Sequence, residues 1–426
     1  EEFTIEEQTA FISRQIVETR QGTKTIVDVL KKSCPETDIV YVKAGNVSDF
    51  RNHFHVIKCR SINDFHHAHD AYLNIVVGNV YDVKFTRSPK NFVEAYRRDP
   101  VHNPYHMDKI FDFNVKRGSV IAWDKKKSIR TVRSVLDKNS PLVTYMNYEV
   151  HGELADQNPY SASKAAKVQG EGYIPLKTSD SRLANVQCYG GFTKYTGTYF
   201  FVVEHTVKKK TVRTLEAMPL YLKANMKKID EIEKYCRNQL KYIEPQIVCS
   251  RIKMYSLMKI DGYYAYISGR TGNQILLVNA IQLVLKREYQ DYIKKLDDIF
   301  EKGLDNSALE YQKTIMKEKN EELYRELLYK HKDGIYGRKP NPVGEKLEKR
   351  EAVFKNLSIM EQATVLREIL KLSQRLNEGA NLTLFGEGKK CGITKMNKEI
   401  TGLKECKVIH QSVTGLYVTE TDLLNI

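Results

Sequence analysis

The chain has 426 residues, of which 41% are hydrophobic and 28% charged, and its 68 Lys and Arg outnumber 53 Asp and Glu for a net charge of +15. That length exceeds one ordinary core and leads us to expect about two to four domains, while the positive excess excludes an acidic, anion-repelling enzyme and points to a polyanionic partner. Seven scattered Cys with no Cys-x-x-Cys pair exclude a disulfide framework or zinc ribbon and fit a reducing cytoplasm, and 26 Tyr with 15 Phe among the cations favour nucleic acid over an acidic membrane.

Thr4-Ile5-Glu6-Glu7 has the pattern of a capping box and opens a helix expected over residues 4–33, with Ile12, Ile16 and Val17 on one side and Val27 and Leu30 further along. Gly22 weakens that helix by about 1 kcal/mol relative to Ala and is a place for a break. A chain that opens in this way, without Met, reads as the C-terminal part of a longer protein. Ile39-Val40-Tyr41-Val42 and Phe54-His55-Val56-Ile57-Lys58-Cys59 read as two short strands. His66-His67-Ala68-His69-Asp70 follows on a helix that Asn63 or Asp64 can cap and Gly78 can end. His67 and Asp70 stand three apart, so they share a face with Cβ atoms about 5–6 Å apart. An imidazole beside a carboxylate can hold a divalent cation or activate a water, and the same pair also suits a structural hydrogen bond. The spacing alone leaves both readings open.

Residues 81–104 are polar and turn-rich and carry no assignable element. Phe111–Val115 alternates, Arg117-Gly118 turns and Ser119–Trp123 resumes, a hairpin pattern that makes the single Trp a core anchor. Lys125-Lys126-Lys127 with Arg130 and Arg133 suits either a solvated face or phosphate contacts. Short strands at 142–148 and 199–203 flank a polar loop, Asp156-Gln157-Asn158-Pro159. Met226, Ile229, Ile232 and Tyr235 form a core stripe on helical turns, and residues 252–268 alternate as strands up to Gly269-Arg270-Thr271-Gly272. Helices are then expected over 275–300, 307–330 and 346–376, with Ser358-Ile359-Met360-Glu361 as a capping box inside the last and Lys339-Pro340-Asn341-Pro342 as a break. The apolar run 275–285 contains Asn279 and Gln282 and is too short to span a bilayer. From Gly386 the chain returns to β character, with 391–398 as a hairpin strand.

The string from His66 to Asn74 resembles the third RuvC-like segment of the type II CRISPR RNA-guided DNA endonucleases. Phe11–Gln21, Val47-Ser48-Asp49-Phe50-Arg51, Ala122-Trp123-Asp124-Lys125, Thr131-Val132-Arg133, Tyr189-Gly190-Gly191-Phe192 and Ile409–Tyr417 resemble the same family in the same order. The resemblance runs from residue 11 to residue 417 and is loose over 84–116 and 207–345.

It implies an α+β multidomain chain. An RNase H-like (RuvC) α/β portion at 1–138 would precede a wedge-like β region at 139–205 and a mixed β-rich and helical PAM-interacting C-terminal domain at 206–426, where PAM is the protospacer-adjacent motif. It implies His67 and Asp70 as catalytic and metal-ligating residues for Mg²⁺, with Mn²⁺ able to substitute, and His66 and His69 in support. Asp156, Gln157 and Asn158 match a loop that contacts the target-strand phosphate, and Lys395, Asn397 and Lys398 fall on the PAM-reading strand. The implied partners are a guide RNA (crRNA and tracrRNA), PAM-bearing target DNA and anti-CRISPR inhibitor proteins, in antiviral defence in the bacterial cytoplasm and without a membrane. RNase H-like hydrolysis needs several carboxylates around two metal ions, and here only Asp70 and His67 come together on one helix, so the chain alone is expected to be inactive. The alternative is a stand-alone basic DNA- or RNA-binding module whose His-rich helix is structural.

Overall fold

The computed structural model describes residues 4–8, 21–40, 42–83, 89–99, 107–137, 146–154, 159–162, 174–177, 179–192, 195–302, 310–375, 377–412 and 415–425. The chain divides into two compact units, 1–140 with 284–295, and 141–283 with 296–426. Helices and antiparallel sheets are mixed throughout, and no described helix is long and apolar enough to cross a membrane.

In the first unit the opening capping box forms: the Glu7 amide donates to Thr4 Oγ1 at 3.2 Å and the Thr4 amide to Glu7 Oε2 at 2.8 Å. Ile12, Ile16 and Val17 lie outside the described residues. Helix α1 (Gln21–Ser33) begins beside Gly22, and residues 9–20 before it lie outside the described residues. Helix α2 (Ala44–His53) buries Val47, Phe50 and Arg51. Helix α3 (Phe65–Tyr81) carries the histidine string and buries Phe65, Leu73, Val77 and Val80. It does not end at Gly78 as expected. A Cβ at Gly78 would lie 2.5 Å from Val42 Cγ2, so glycine serves here to let Val40 and Val42 approach the helix.

The two strands expected at 39–42 and 54–59 are not formed among the described residues. Val42, Phe54 and Val56 do pack on the core, but the carbonyls of 54–57 are taken by guanidinium groups instead of a sister strand. Arg133 donates to Phe54 O at 3.2 Å, Arg287 to His55 O at 3.0 Å and Arg51 to Ile57 O at 3.1 Å. His55 also has φ +51°, which breaks an extended run. Helix α4 (Pro89–Arg98) lies in the stretch that sequence left unassigned. The expected turn at Gly118, with φ +59°, joins β1 (Val115–Arg117) to β2 (Val120–Trp123), but the first strand lies later than the alternation at 111–115 suggests, because Met107–Asp112 forms a 3-10 helix. Trp123 is buried, packs edge-on against Phe50 and Phe111, and donates Nε1–H to Phe111 O at 2.7 Å. In the turn before helix α5 (Ser128–Leu136), Asp124 Oδ1 accepts from the Lys126 and Lys127 amides.

Among the described residues the second unit holds two larger sheets, besides a short antiparallel pair of Ile174–Pro175 with Gly191–Phe192. Strand β3 (Gly197–Val207) lies between β4 (Lys210–Pro219) and β5 (Ile243–Lys253), and it buries six successive residues, Thr198–Val203. Helix α6 (Ile229–Asn238) covers one face with Ile232 and Tyr235, as the stripe predicts, whereas Ile229 is exposed. The second sheet comprises β6 (Leu257–Ile260), β7 (Tyr263–Thr271), β8 (Gln274–Asn279), β9 (Lys395–Asn397), β10 (Cys406–Gln411) and β11 (Val418–Asp422). These lie in the order β9-β8-β7-β6-β10-β11, all antiparallel.

The helix expected over 275–300 is therefore corrected. Its first residues are strand β8, and helix α7 begins only at Arg287 and runs to Lys302. Ile275–Val278 is a short apolar run without helical period, and it completes the β7 ladder. Helix α8 (Glu310–Lys332) matches the second expected helix. The third is three helices, α9 (Gly344–Lys349), α10 (Glu351–Asn356) and α11 (Ile359–Lys371). The capping box at Ser358 and Glu361 forms and starts α11 instead of lying inside a longer helix.

Candidate metal centre

Helix α3 opens where Asn63 Oδ1 accepts the Phe65 amide at 3.0 Å, while Asp64 at the N-cap makes no side-chain cap bond. His66 Nδ1 lies 3.0 Å from Asn63 O, and its ring lies 4.1 Å from that of His67. Asp64, His66 and His67 offer one ligand atom each, all within 4.8 Å of one another. Burial, followed by the neighbouring His67 and Lys58, holds the His66 imidazole below its usual range despite the Asn63 bond. Burial and then Arg51 lower His69 in the same sense, so both rings stay neutral lone-pair donors at neutral pH.

Asp70 is one turn on from His67. Its Oδ1 accepts from Arg51 at 2.7 and 3.0 Å and its Oδ2 from Lys58 at 2.5 Å. Burial by itself would raise this carboxyl, but the Lys58 and Arg51 hydrogen bonds outweigh it and hold Asp70 below the ordinary carboxylate range. Arg51 is almost fully buried and is fixed by its carbonyl contact to Ile57. The structure thus brings together Asp64, His66 and His67 on one side, and Asp70 with two cations on the other. One carboxylate and two imidazoles fit a single divalent ion that accepts nitrogen, Mn²⁺ more readily than Mg²⁺. Asp64, Arg51 and Lys58 were missed as site residues. From sequence Asp64 reads only as a cap, whereas Arg51 has a signal in the Val47–Arg51 motif, where α2 buries a charge beside Phe50.

The other candidate residues lie in the second unit. On β9, Lys395 pairs with Leu276 and Asn397 with Gln274, and Met396 between them is buried. Lys395 and Asn397 therefore share the face opposite Met396. Lys398 is turned the other way: its ammonium lies 2.6 Å from Glu216 Oε1 and 3.0 Å from Tyr242 Oη. Glu216 is fully buried and also accepts from Arg270 and Tyr242. Asp156, Gln157 and Asn158 lie outside the described residues.

A family model for the PAM-interacting domain of CRISPR-associated endonuclease Cas9 matches residues 151–419, and one for the Cas9 RuvC domain matches residues 20–144. The CRISPR-associated endonuclease Cas9 of Streptococcus mutans serotype c (strain ATCC 700610 / UA159) is 26% identical over 470 residues, covering 99% of this chain and 32% of that protein. The one from Listeria innocua serovar 6a (strain ATCC BAA-680 / CLIP 11262) is 24% identical over 440 residues, covering 96% of this chain and 31% of that protein. The chain thus spans about a third of the length of these relatives.

Proposed function

The chain belongs to the family of CRISPR-associated endonuclease Cas9, and on that premise we propose that it is the C-terminal portion of an RNA-guided double-stranded DNA endonuclease. It supplies the His/Asp part of a RuvC metal site that cuts the non-target strand, together with the reader of the PAM. The observation that carries this reading is the succession, in one chain, of a RuvC match and a PAM-interacting match, with His66–Asp70 on a helix inside the first. The complete nuclease domain is RNase H-like, and its remaining carboxylates come from elsewhere in the longer protein. The partners are a guide RNA and PAM-bearing DNA in the bacterial cytoplasm.

His67, exposed beside Asp64 and His66, takes the proton of the attacking water or ligates the cation. Asp70 would be a further ligand through a lone pair that Arg51 and Lys58 leave open, and these two cations fix the direction of its carboxylate. Asp64 and His66 offer further ligand atoms beside His67, and His69 is in support. A bound divalent cation, Mg²⁺ or in its place Mn²⁺, supplies stabilisation of the charge that develops on the scissile phosphate.

The test uses the complete guided protein on a plasmid target with each strand labelled. His67→Ala and Asp70→Ala each lower non-target-strand cutting by about 10²–10⁴-fold, while guided binding changes little, because the lost interactions act chiefly in the transition state. Non-target-strand cutting at the unmodified rate in either variant sinks the assignment.

A further inference from the structure

His66 and His69, three apart on α3, line a cleft of about 510 Å³ whose walls all belong to the first unit. That volume is in the range of a ligand site. Four cations line it as well: Lys58, Arg133, Lys286 and Arg287. The two arginines are fixed in a specific way. Arg133 donates one N–H to Phe54 O at 3.2 Å and Arg287 one to His55 O at 3.0 Å. Two guanidinium groups are thus anchored on consecutive carbonyls, so like charges are brought together on one wall, and each fork has five donors of which the backbone uses one. Asp291 lies 3.8 Å from Arg287, and Asp137 is the one carboxylate in the lining, so the local balance stays positive. The remaining surface includes the apolar side chains of Leu136, Val284 and Leu285.

We propose that this cleft binds a phosphodiester of a nucleic-acid strand, with Arg133 and Arg287 as the forked contacts and the apolar residues against the sugar and base. A phosphate suits two guanidinium forks in one cleft better than a single carboxylate does, because it offers several oxygens to N–H donors. His69 lines the same cleft as an additional hydrogen-bonding group, next to His66 at the edge of the metal cluster. The proposal extends the nucleic-acid reading given above, and it concerns a contact made without metal.

The test is fluorescence anisotropy of the 426-residue chain with labelled 12-nucleotide DNA and RNA strands in EDTA, across a salt series. The cleft variant is Arg133→Gln/Arg287→Gln. The control of equal charge loss is Lys294→Gln/Lys295→Gln, at two exposed lysines outside the lining. Losing two contacts lowers the slope of log affinity against log salt by about 1.4 for a single strand and weakens binding at low salt roughly 10-fold, while the control keeps the original slope. Should the glutamine pair fail to fold, Arg133→Lys/Arg287→Lys retains charge, and its slope recovers while its affinity stays reduced. The DNA and RNA arms identify which strand supplies the phosphate. Equal losses in cleft and control variants, an unchanged slope in the cleft variant, or no binding of either strand overturns the proposal. Because EDTA is present throughout, failure of the metal-site assignment leaves this result unaffected.

Discussion

Lys339 brings its ammonium to 3.2 Å from the Leu372 carbonyl while almost wholly buried, and burial pushes its pKa down to about 7. The unfolded chain keeps that proton up to the ordinary lysine value near 10.4. Between the two values folding releases a proton, so stability rises with pH across this window and the charge is a cost at neutral pH. Leu372 O also accepts from Asn279 Nδ2 at 2.8 Å, so replacing the lysine leaves no orphaned carbonyl. We predict that Lys339→Met stabilises the chain by about 1–4 kcal/mol at pH 7.5, on the scale seen when buried charges give way to apolar groups, and that the gain shrinks towards pH 10. Urea unfolding at both values measures it, and a loss at both shows that the ammonium bond is worth more than its burial costs. His331, fully buried and bonded through Nε2 to Ser373, is pushed by burial down to about 3, so its stability slope between there and 6.5 has the same sign. None of this was legible beforehand. A lysine before Pro340 reads as loop surface until the fold closes over it. The same holds for Arg51 and Lys58, whose meeting at Asp70 depends on long-range packing that no local spacing encodes.

Strand β9 is the element to which we assign base recognition, and here the sequence was more informative. Alternation across 395–397 places Lys395 and Asn397 on one face, and the ladder to β8 shows that face, with Met396 turned inward. The Glu216 cluster clamps the strand's end through Lys398, and the Lys398 amide donates to Asn273 O at 2.9 Å. Lys suits guanine O6/N7 and Asn suits adenine N6/N7 in the major groove. We predict a motif other than a double guanine, with at least one adenine, and a cost of about 1–3 kcal/mol for losing either good pair. A PAM-library depletion assay with Lys395→Ala and Asn397→Ala measures it. If neither change alters the preferred motif or the affinity, base reading belongs to other residues. Elements with a local signature were read well: both capping boxes and the Trp123 hairpin formed. Elements decided by a distant partner were not. Ile275–Val278 became a strand because β7 and β9 flank it, and 54–59 failed to become one because arginines took its carbonyls.

At the scale of the whole molecule the governing facts are the +15 charge and the make-up of the metal centre. About four phosphate contacts give a slope near −3.6 for duplex DNA, so affinity falls on the order of 100-fold between 50 and 200 mM salt. A slope near zero in a filter-binding series shows that the basic surface faces something else. Binding of this kind does not imply cutting. Two-metal hydrolysis needs several hard oxygen ligands to hold two ions about 3.5–4 Å apart. Among the described residues, the one cluster within ligand reach has a single carboxylate, Asp64, with two imidazoles, and both oxygens of Asp70 are engaged by Arg51 and Lys58. We therefore predict that this chain alone binds DNA and leaves it intact in either Mg²⁺ or Mn²⁺. The measurement is incubation with labelled duplex and single-stranded DNA, resolved on a denaturing gel against the complete guided protein. Reproducible cleavage by the chain that disappears with Asp70→Ala would mean that the residues on α3 need no carboxylates from elsewhere.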